Sequence, residues 1–165
     1  MSKPIHPIKN NAECEKMIQG TFQGVLCMAD NNQPYALPIN HAYHDGKFYF
    51  HCGTTGRKLD VINKNPNVSY VINKYYGKPE HLAQSLKCHG CWESVIAYGK
   101  AEVITDSEEL LAAFKTFMAY YGRTDFQPSE GFSESTSAIV IEVERMTARR
   151  EDEEEKVDYW YWEKE

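Results

Sequence analysis

FYFHCGTTGRKLDVINKNP, residues 48–66, is the stretch on which the reading of this chain turns. Phe48 and Phe50 alternate with Tyr49 and His51, a period of two that predicts a half-buried strand over KFYFHC (47–52). The period then changes. Within residues 53–66, Leu59, Val61 and Ile62 fall at helical spacing and Pro66 follows their end. Between strand and helix stand Gly53, Thr54, Thr55 and Gly56, and Arg57 and Lys58 open the helix. That order outlines an anion site. The first N–H groups of a helix point outward and its dipole favours negative charge there. Threonine hydroxyls donate hydrogen bonds, Arg57 offers a bidentate fork to phosphate, and Lys58 adds a point charge. A solvated basic helix start is the other reading of the same pair.

Upstream, Asn10 with Glu13 reads as a capping box for a short helix that Gly20 ends. GVLCMA (24–29) is a short apolar run, and ADNNQP supplies turn chemistry. YALPINHAY (35–43) reads as one extended segment, with Pro38 assigning it to an edge or a bulge. HDG (44–46) then closes a hairpin onto residues 47–52, with His41 and His44 read as surface residues. Downstream, VSYVI (68–72) and SVIAYGKAEVI (94–104) read as strands, separated by a polar loop or short helix. Asp106 with Glu109 caps a helix to about Tyr121, whose Leu110, Leu111, Phe114, Phe117 and Met118 form one stripe. AIVIEVE (138–144) is the last alternating strand. Six strands joined mostly by short turns, with few helices, predict a mainly β, six-stranded antiparallel barrel, an arrangement that removes open sheet edges.

Charge and cysteine usage narrow the classes. The chain has 165 residues and a formal charge of −6. Eight acidic and two basic side chains lie in EDEEEKVDYWYWEKE (151–165), which leaves 16 of each sign in residues 1–150. The neutral body provides no electrostatic case for nucleic acid. No apolar run approaches the roughly 20 residues that span a bilayer, and MSKPIHPIKNN lacks the apolar core of a signal peptide. A cytoplasmic protein is expected. So is a single domain over 1–150, followed by an acidic, aromatic extension over 151–165. The odd number of cysteines, five, argues against a disulfide framework. Cys88 and Cys91, in KCHGCW, lack a second CxxC and the helical context of a redox dithiol, so no metal site is assigned.

PYALPINHAYHDGKFYFHCGTTGRKLDVINKNPNVSYVI (34–72) resembles the first half of the FMN-binding split barrels, the pyridoxamine 5′-phosphate oxidase-related proteins. CWESVIAYGKAEVITDSEELLAAF (91–114) is similar to the matching segment of their nitroimidazole-resistance branch. The resemblance implies a six-stranded split barrel with flanking helices and a homodimer holding two FMN at its interface. Pro38, Ile39 and Asn40 would lie along the flavin ring, and His51 and Cys52 at the strand end beside it. Arg57 and Lys58 would hold the phosphate, with Trp92, Glu93 and Ser94 approaching from the neighbouring strand. His51 is the implied catalytic residue, able to give a hydrogen bond or proton to a small ligand; packing at a strand end is its structural alternative. The implied activity is reduction of a small electrophilic acceptor, a nitro compound or quinone, by NAD(P)H through FMN. Two other readings keep the fold: a flavin-binding module without catalysis, and a haem protein using His41, His44, His51, His81 or His89 as axial ligand. Tyr75, Tyr76 and Trp92 could cover a flavin face or serve as packing. The acidic tail stands where the oxidases carry a substrate-holding Arg and Trp, which argues against a phosphorylated vitamer as substrate. It reads as a solvated run or as a segment near the partner's flavin site.

Overall fold

The turns are set by residues that tolerate left-handed backbone. In the computed structural model, which describes residues 8–76, 91–151 and 157–164, Asn31 and Asn32 have φ of 48° and 62° and join β2 (Gln23–Asp30) to β3 (Gln33–Asn40). Asp45 and Gly46, at 48° and 72°, join β4 (Ala42–His44) to β5 (Lys47–Cys52) in the same way. Two consecutive positive φ values suit the right-handed twist of the strands they connect. α1 (Asn11–Ile18) follows a two-residue strand, β1 (Ile8–Lys9), and begins where the Asn10 side chain accepts the Glu13 N–H at 3.2 Å. α2 spans Arg57–Lys64, and β6 (Asn67–Tyr75) and β7 (Trp92–Ile104) come next. α3 (Ser107–Tyr120) is capped by Asp106, whose carboxylate accepts the Glu108 and Glu109 N–H groups. A single turn, α4 (Phe132–Ser135), precedes β8 (Ser137–Glu151), and β9 (Val157–Glu163) ends the order.

The strands form one sheet in the order β1-β9-β8-β7-β6-β2-β3, with β5 added to β8 and β4 to β5. β8 is the hub. It pairs with β7 over its whole length, while its other edge takes β5 along 137–142 and then β9 along 145–151. The β7–β8 ladder shifts register between Tyr98 and Gly99, where a Cβ on Gly99 would lie 2.0 Å from the Glu142 carbonyl oxygen. Only glycine allows that approach, and the bulge increases the local bend of the sheet. β3 ends the path, and Pro38, which has no N–H to give, falls on this edge opposite Val25.

One face of the curved sheet encloses the main core: Leu26, Phe48, Phe50, Tyr70, Ile139 and Ile141 are at most 1% exposed. α2 adds Leu59, Val61 and Ile62, and α1 adds Cys14, Met17 and Ile18. A smaller core lies under α3, where Leu110, Ala113 and Phe114 meet Ile104 and Ala138.

Two features depart from the sequence reading. The segment 35–43 is two strands, β3 and β4, broken at His41, and His41 is not a surface residue but fully buried. Its ring packs edge-on against Phe48 and Tyr70, and both nitrogens have partners: Nδ1 lies 2.9 Å from the Tyr70 hydroxyl, Nε2 3.3 Å from that of Thr21. The Tyr70 hydroxyl donates to the Ile39 carbonyl at 2.9 Å and the Thr21 hydroxyl to the Ile18 carbonyl at 2.5 Å, so both hydroxyls turn lone pairs towards the imidazole. The second departure is the tail. Residues 157–163 are a strand antiparallel to β8, with β1 parallel on its far side, and Trp160 enters the core at 8% exposure. The acidic residues hide a period-two pattern in YWYW, with the tryptophans inward and the tyrosines outward. Trp160→Ala should therefore destabilise the whole fold, by about 3–5 kcal/mol in denaturant unfolding. A loss below 1 kcal/mol would show β9 to be peripheral.

Candidate functional site

β5 and α2 place the first group of residues. His51 and Cys52 close β5, the 53–56 turn follows, and Gly56 at φ 131° leads into Arg57. Gly56, the N-cap of α2, brings no capping side chain, and among the described residues none accepts the leading N–H groups of the helix. Arg57 is exposed and its guanidinium lies 4.5 Å over the Tyr35 ring, which orients the fork beside β3. Lys58 is half-buried and its charge reaches Cys52, whose thiol pKa is raised by burial against that pull. His51 turns the opposite way to Cys52, towards α3, with ring centroids 4.9 Å from Phe117 and 5.9 Å from Phe114. Burial against these rings holds its pKa below the ordinary value, so at neutral pH it presents a neutral imidazole.

Strand register places the second group. Opposite Val25 and Gln23 on β2, Pro38 and Asn40 are exposed on the face turned away from the core. Ile39 points inward and its carbonyl accepts the Tyr70 hydroxyl. Ser94 lies opposite Asn73 and Arg149 and shares the outward face with Pro38 and Asn40. Trp92 shares it too, and its indole N–H donates to Glu151 at 2.8 Å. Glu93 faces inward, held by Arg150 through Nε and Nη2 at 2.6 Å each and by the Tyr76 hydroxyl. Burial pushes its carboxyl pKa up, but the Tyr76 and Arg150 bonds outweigh that and the net shift is down.

One chain thus places Cys52, Arg57 and Lys58 together after the end of β5, turns His51 away from them towards α3, and aligns Pro38, Asn40 and Ser94 on one face without bringing them into contact. β7 and β3 are three strand spacings apart, about 14 Å along the sheet. No hydrogen bond, ion pair or ring contact among the described residues joins Trp92 or Ser94 to Arg57 or Lys58. Between them, Val25, Cys27, Val71, Ile96 and Tyr98 form an apolar outer face that is only half-buried. Among the described residues, surface cavities of about 320–440 Å³ are lined by none of the predicted site residues, and one of about 340 Å³ opens on this outer face at Cys27, Ser69 and Tyr98.

Several residues here have no local sequence signal. Arg149 lies within 5.8 Å of the Trp92 ring and 5.7 Å of Tyr159, and Arg145 stacks on Tyr98 at 3.8 Å. Counting cations within 151–165 alone misses both, because strand pairing brings them to the tail from β8. Phe117 reads in sequence as one residue of the apolar stripe of its helix, yet it is the ring against His51.

The histidine and cysteine readings divide. His41, buried with both nitrogens occupied, is no axial ligand as folded; His44 is exposed on its hairpin; Cys88, His81 and His89 lie outside the described residues. Among the described residues no three His, Cys, Asp or Glu side chains are grouped to hold a metal ion. No helix among them is long and apolar enough to cross a membrane.

The sequence pattern of the family described as pyridoxamine 5′-phosphate oxidase matches residues 10–150. The chain belongs to that family. No curated protein matches it by sequence. Among solved structures it is similar to a candidate 5-nitroimidazole antibiotic resistance protein from Bacteroides thetaiotaomicron, at 25% identity and TM-score 0.72, covering 86% of this chain and 84% of that one. It is also similar to a FAD-binding protein from Mesorhizobium loti, at 24% identity and TM-score 0.65, covering 87% and 96%. A FAD and haem binding protein from Mycobacterium smegmatis shares the fold at 14% identity and TM-score 0.69, covering 82% and 67%. The open nine-stranded sheet with flanking helices is the split barrel of this family.

The buried histidine makes the fold acid-sensitive. Burial lowers the His41 pKa from 6.5 to about 4. A depressed histidine pKa leaves stability full above the unfolded value and removes it as pH falls towards the folded one. Stability should decline by roughly 1 kcal/mol per pH unit between about pH 6.5 and 4. Urea unfolding across that range should show the decline, and His41→Gln should flatten it; identical slopes would exclude His41 as the cause.

Proposed function

We propose that the protein is a flavoprotein that binds FMN between two copies of itself and passes electrons from NAD(P)H to a small electrophilic acceptor of nitro or quinone type. The observation that carries this reading is the outer sheet face. It aligns Pro38, Asn40 and Ser94 around a half-buried apolar patch, and Arg57, at the start of α2, reaches the same strand as Pro38 at Tyr35. A second copy laid on this face would bring Ser94 and Trp92 of one chain towards Pro38, Asn40 and Arg57 of the other, closing a gap that one chain leaves open. Family membership supports the reading, as do the flavin-binding relatives of the same fold.

The residues fit the cofactor chemically. Arg57 and Lys58, with the Thr54 and Thr55 hydroxyls and the leading N–H groups of α2, match a phosphate monoester in charge and donor count. The β3 edge offers a flat backbone surface to a ring. When bound, FMN would carry two electrons between the nicotinamide and the acceptor. The chain would supply phosphate binding, an apolar surface that excludes water, and at His51 a neutral imidazole able to donate to a ligand oxygen.

Purified protein should take up FMN with the visible absorbance of a bound flavin, and NADH or NADPH should bleach it until a nitro compound or quinone restores it. No uptake overturns the reading; uptake without bleaching leaves a binding module. Arg57→Ala and Lys58→Ala should each weaken FMN binding by about 1.5–3 kcal/mol, some ten- to a hundredfold in Kd. Ile96→Glu, which sets a carboxylate on the outer face, should yield a folded monomer by light scattering that has lost FMN binding; a dimer that still binds FMN would place the interface elsewhere.

A further inference from the structure

One buried hydroxyl holds the chain on both sides of Asn40. Tyr70 stands on β6, yet its hydroxyl donates to the Ile39 carbonyl of β3 at 2.9 Å and lies 2.9 Å from Nδ1 of His41. β2 runs between those two strands, and the phenol crosses it at Gly24. A Cβ there would lie 2.7 Å from Cζ of Tyr70 and 2.8 Å from its hydroxyl, so the crossing needs glycine. Burial pushes the pKa of the Tyr70 hydroxyl up, which keeps in place the proton it donates.

Neighbouring bonds complete the frame. The His41 N–H donates to the Phe22 carbonyl at 3.0 Å, and the Tyr121 hydroxyl donates to the His41 carbonyl at 2.9 Å. The Asn40 side chain accepts from that of Gln23, its ladder partner, at 3.4 Å. Bonded and non-bonded rungs alternate along an antiparallel ladder. Since His41 bonds Phe22, the next bonded rung is Ile39 with Gly24. Asn40, between them, turns its own N–H and C=O away from β2, to the edge where the path of the sheet ends. Pro38 is in the same phase but has no N–H. Of residues 38–40, Asn40 alone therefore offers a backbone donor to that edge.

We propose that Tyr70 and His41 are positioning residues for the cofactor: together they clamp β3 so that the Asn40 N–H is preset for an acceptor atom on the polar edge of the flavin ring. This rests on the flavin reading above. The last residues of an edge strand are where backbone order is lost first. Here residues 39 and 41 are both held by the same buried phenol, and Asn40 between them is exposed with its backbone donor fixed. A donor ordered before the ligand arrives loses no freedom on binding, so the clamp adds affinity without touching the ring. Tyr70 and His41 make no contact with flavin themselves; they act through the Asn40 backbone.

The test titrates the full chain with FMN and records the visible spectrum of the bound flavin at saturation. Tyr70→Phe removes the hydroxyl and keeps the ring; it should raise the FMN Kd roughly five- to tenfold and move the visible band, because a hydrogen bond to the ring has changed. Arg57→Ala should weaken binding and leave the band where it is. Tyr43→Phe loses a half-buried hydroxyl bonded to Glu15 at 3.0 Å, away from this edge, and should match wild type in both readouts. Asn40→Pro takes the phase that Pro38 already occupies, so it removes the edge N–H without breaking a ladder bond. It should reproduce the weaker binding and the band shift, and adding Tyr70→Phe to it should change little more. A Tyr70→Phe protein that is less stable in urea yet binds FMN with unchanged Kd and band would make the hydroxyl structural and overturn the proposal. A changed Kd with an unmoved band, or the same changes in Tyr43→Phe, overturns it as well. So does wild-type behaviour of Asn40→Pro, which lies on the exposed edge and is read independently of whether Tyr70→Phe folds. Wild-type protein that takes up no FMN would instead overturn the parent reading.

Discussion

The shared edge of β8 is the constraint on which the rest of the structure depends. A strand has two edges, and β8 gives one entirely to β7 and divides the other between β5 and β9. The first half of that divided edge holds β5 in register, Cys52 opposite Ser137 and His51 opposite Ala138, and so fixes where α2 begins. The second half takes the C-terminal strand. The changeover falls beside the bulge at Gly99, where the β7 backbone comes too close to the Glu142 carbonyl for any side chain. Bend, changeover and glycine are one feature, because a sheet that curves this sharply must lose a residue of register on one strand.

A second constraint is polar. Burying an imidazole is unfavourable without polar partners, and here the Tyr70 and Thr21 hydroxyls lie beside its two nitrogens. The same residue breaks the β3–β4 segment and anchors Tyr121 and Phe22 through its backbone. His41 therefore belongs to the framework behind the site rather than to its chemistry. His51, one hairpin later, sets its ring against Phe114 and Phe117 of α3.

Much of the frame is legible in the chain. Asn31–Asn32 and Asp45–Gly46 mark their hairpins because few residues accept positive φ twice running. The change from period two to helical spacing after Cys52 marks the strand-to-helix junction, and Arg57-Lys58 stand where that reading puts them. Pro38 lies on an edge because it cannot donate to a ladder. The misses have physical causes as well. His41 reads as a surface residue because hydropathy takes no account of two hydroxyls arriving from positions 21 and 70. β9 is hidden because the charge of its surroundings outweighs the alternation of two tyrosines and two tryptophans. Ile39 and Glu93, grouped in sequence with their neighbours, point to the opposite face, since adjacent strand residues must.

By itself the sequence determined the local grammar of this protein: where strands turn, where α2 starts, and which residues bring charge and donors to that start. These depend on φ preferences, capping and periodicity, all of which act over a few residues. Only the tertiary structure decided which faces meet. Pro38 and Asn40 share an outer surface with Ser94, and Arg149 reaches Tyr159 and Trp92, through ladders between distant strands. Alternation along a strand divides its side chains into two sets but does not say which set the core takes or which strand lies beside it. That choice is made when the whole sheet is assembled, by the register that buries the most apolar surface while pairing the backbone groups of its strands.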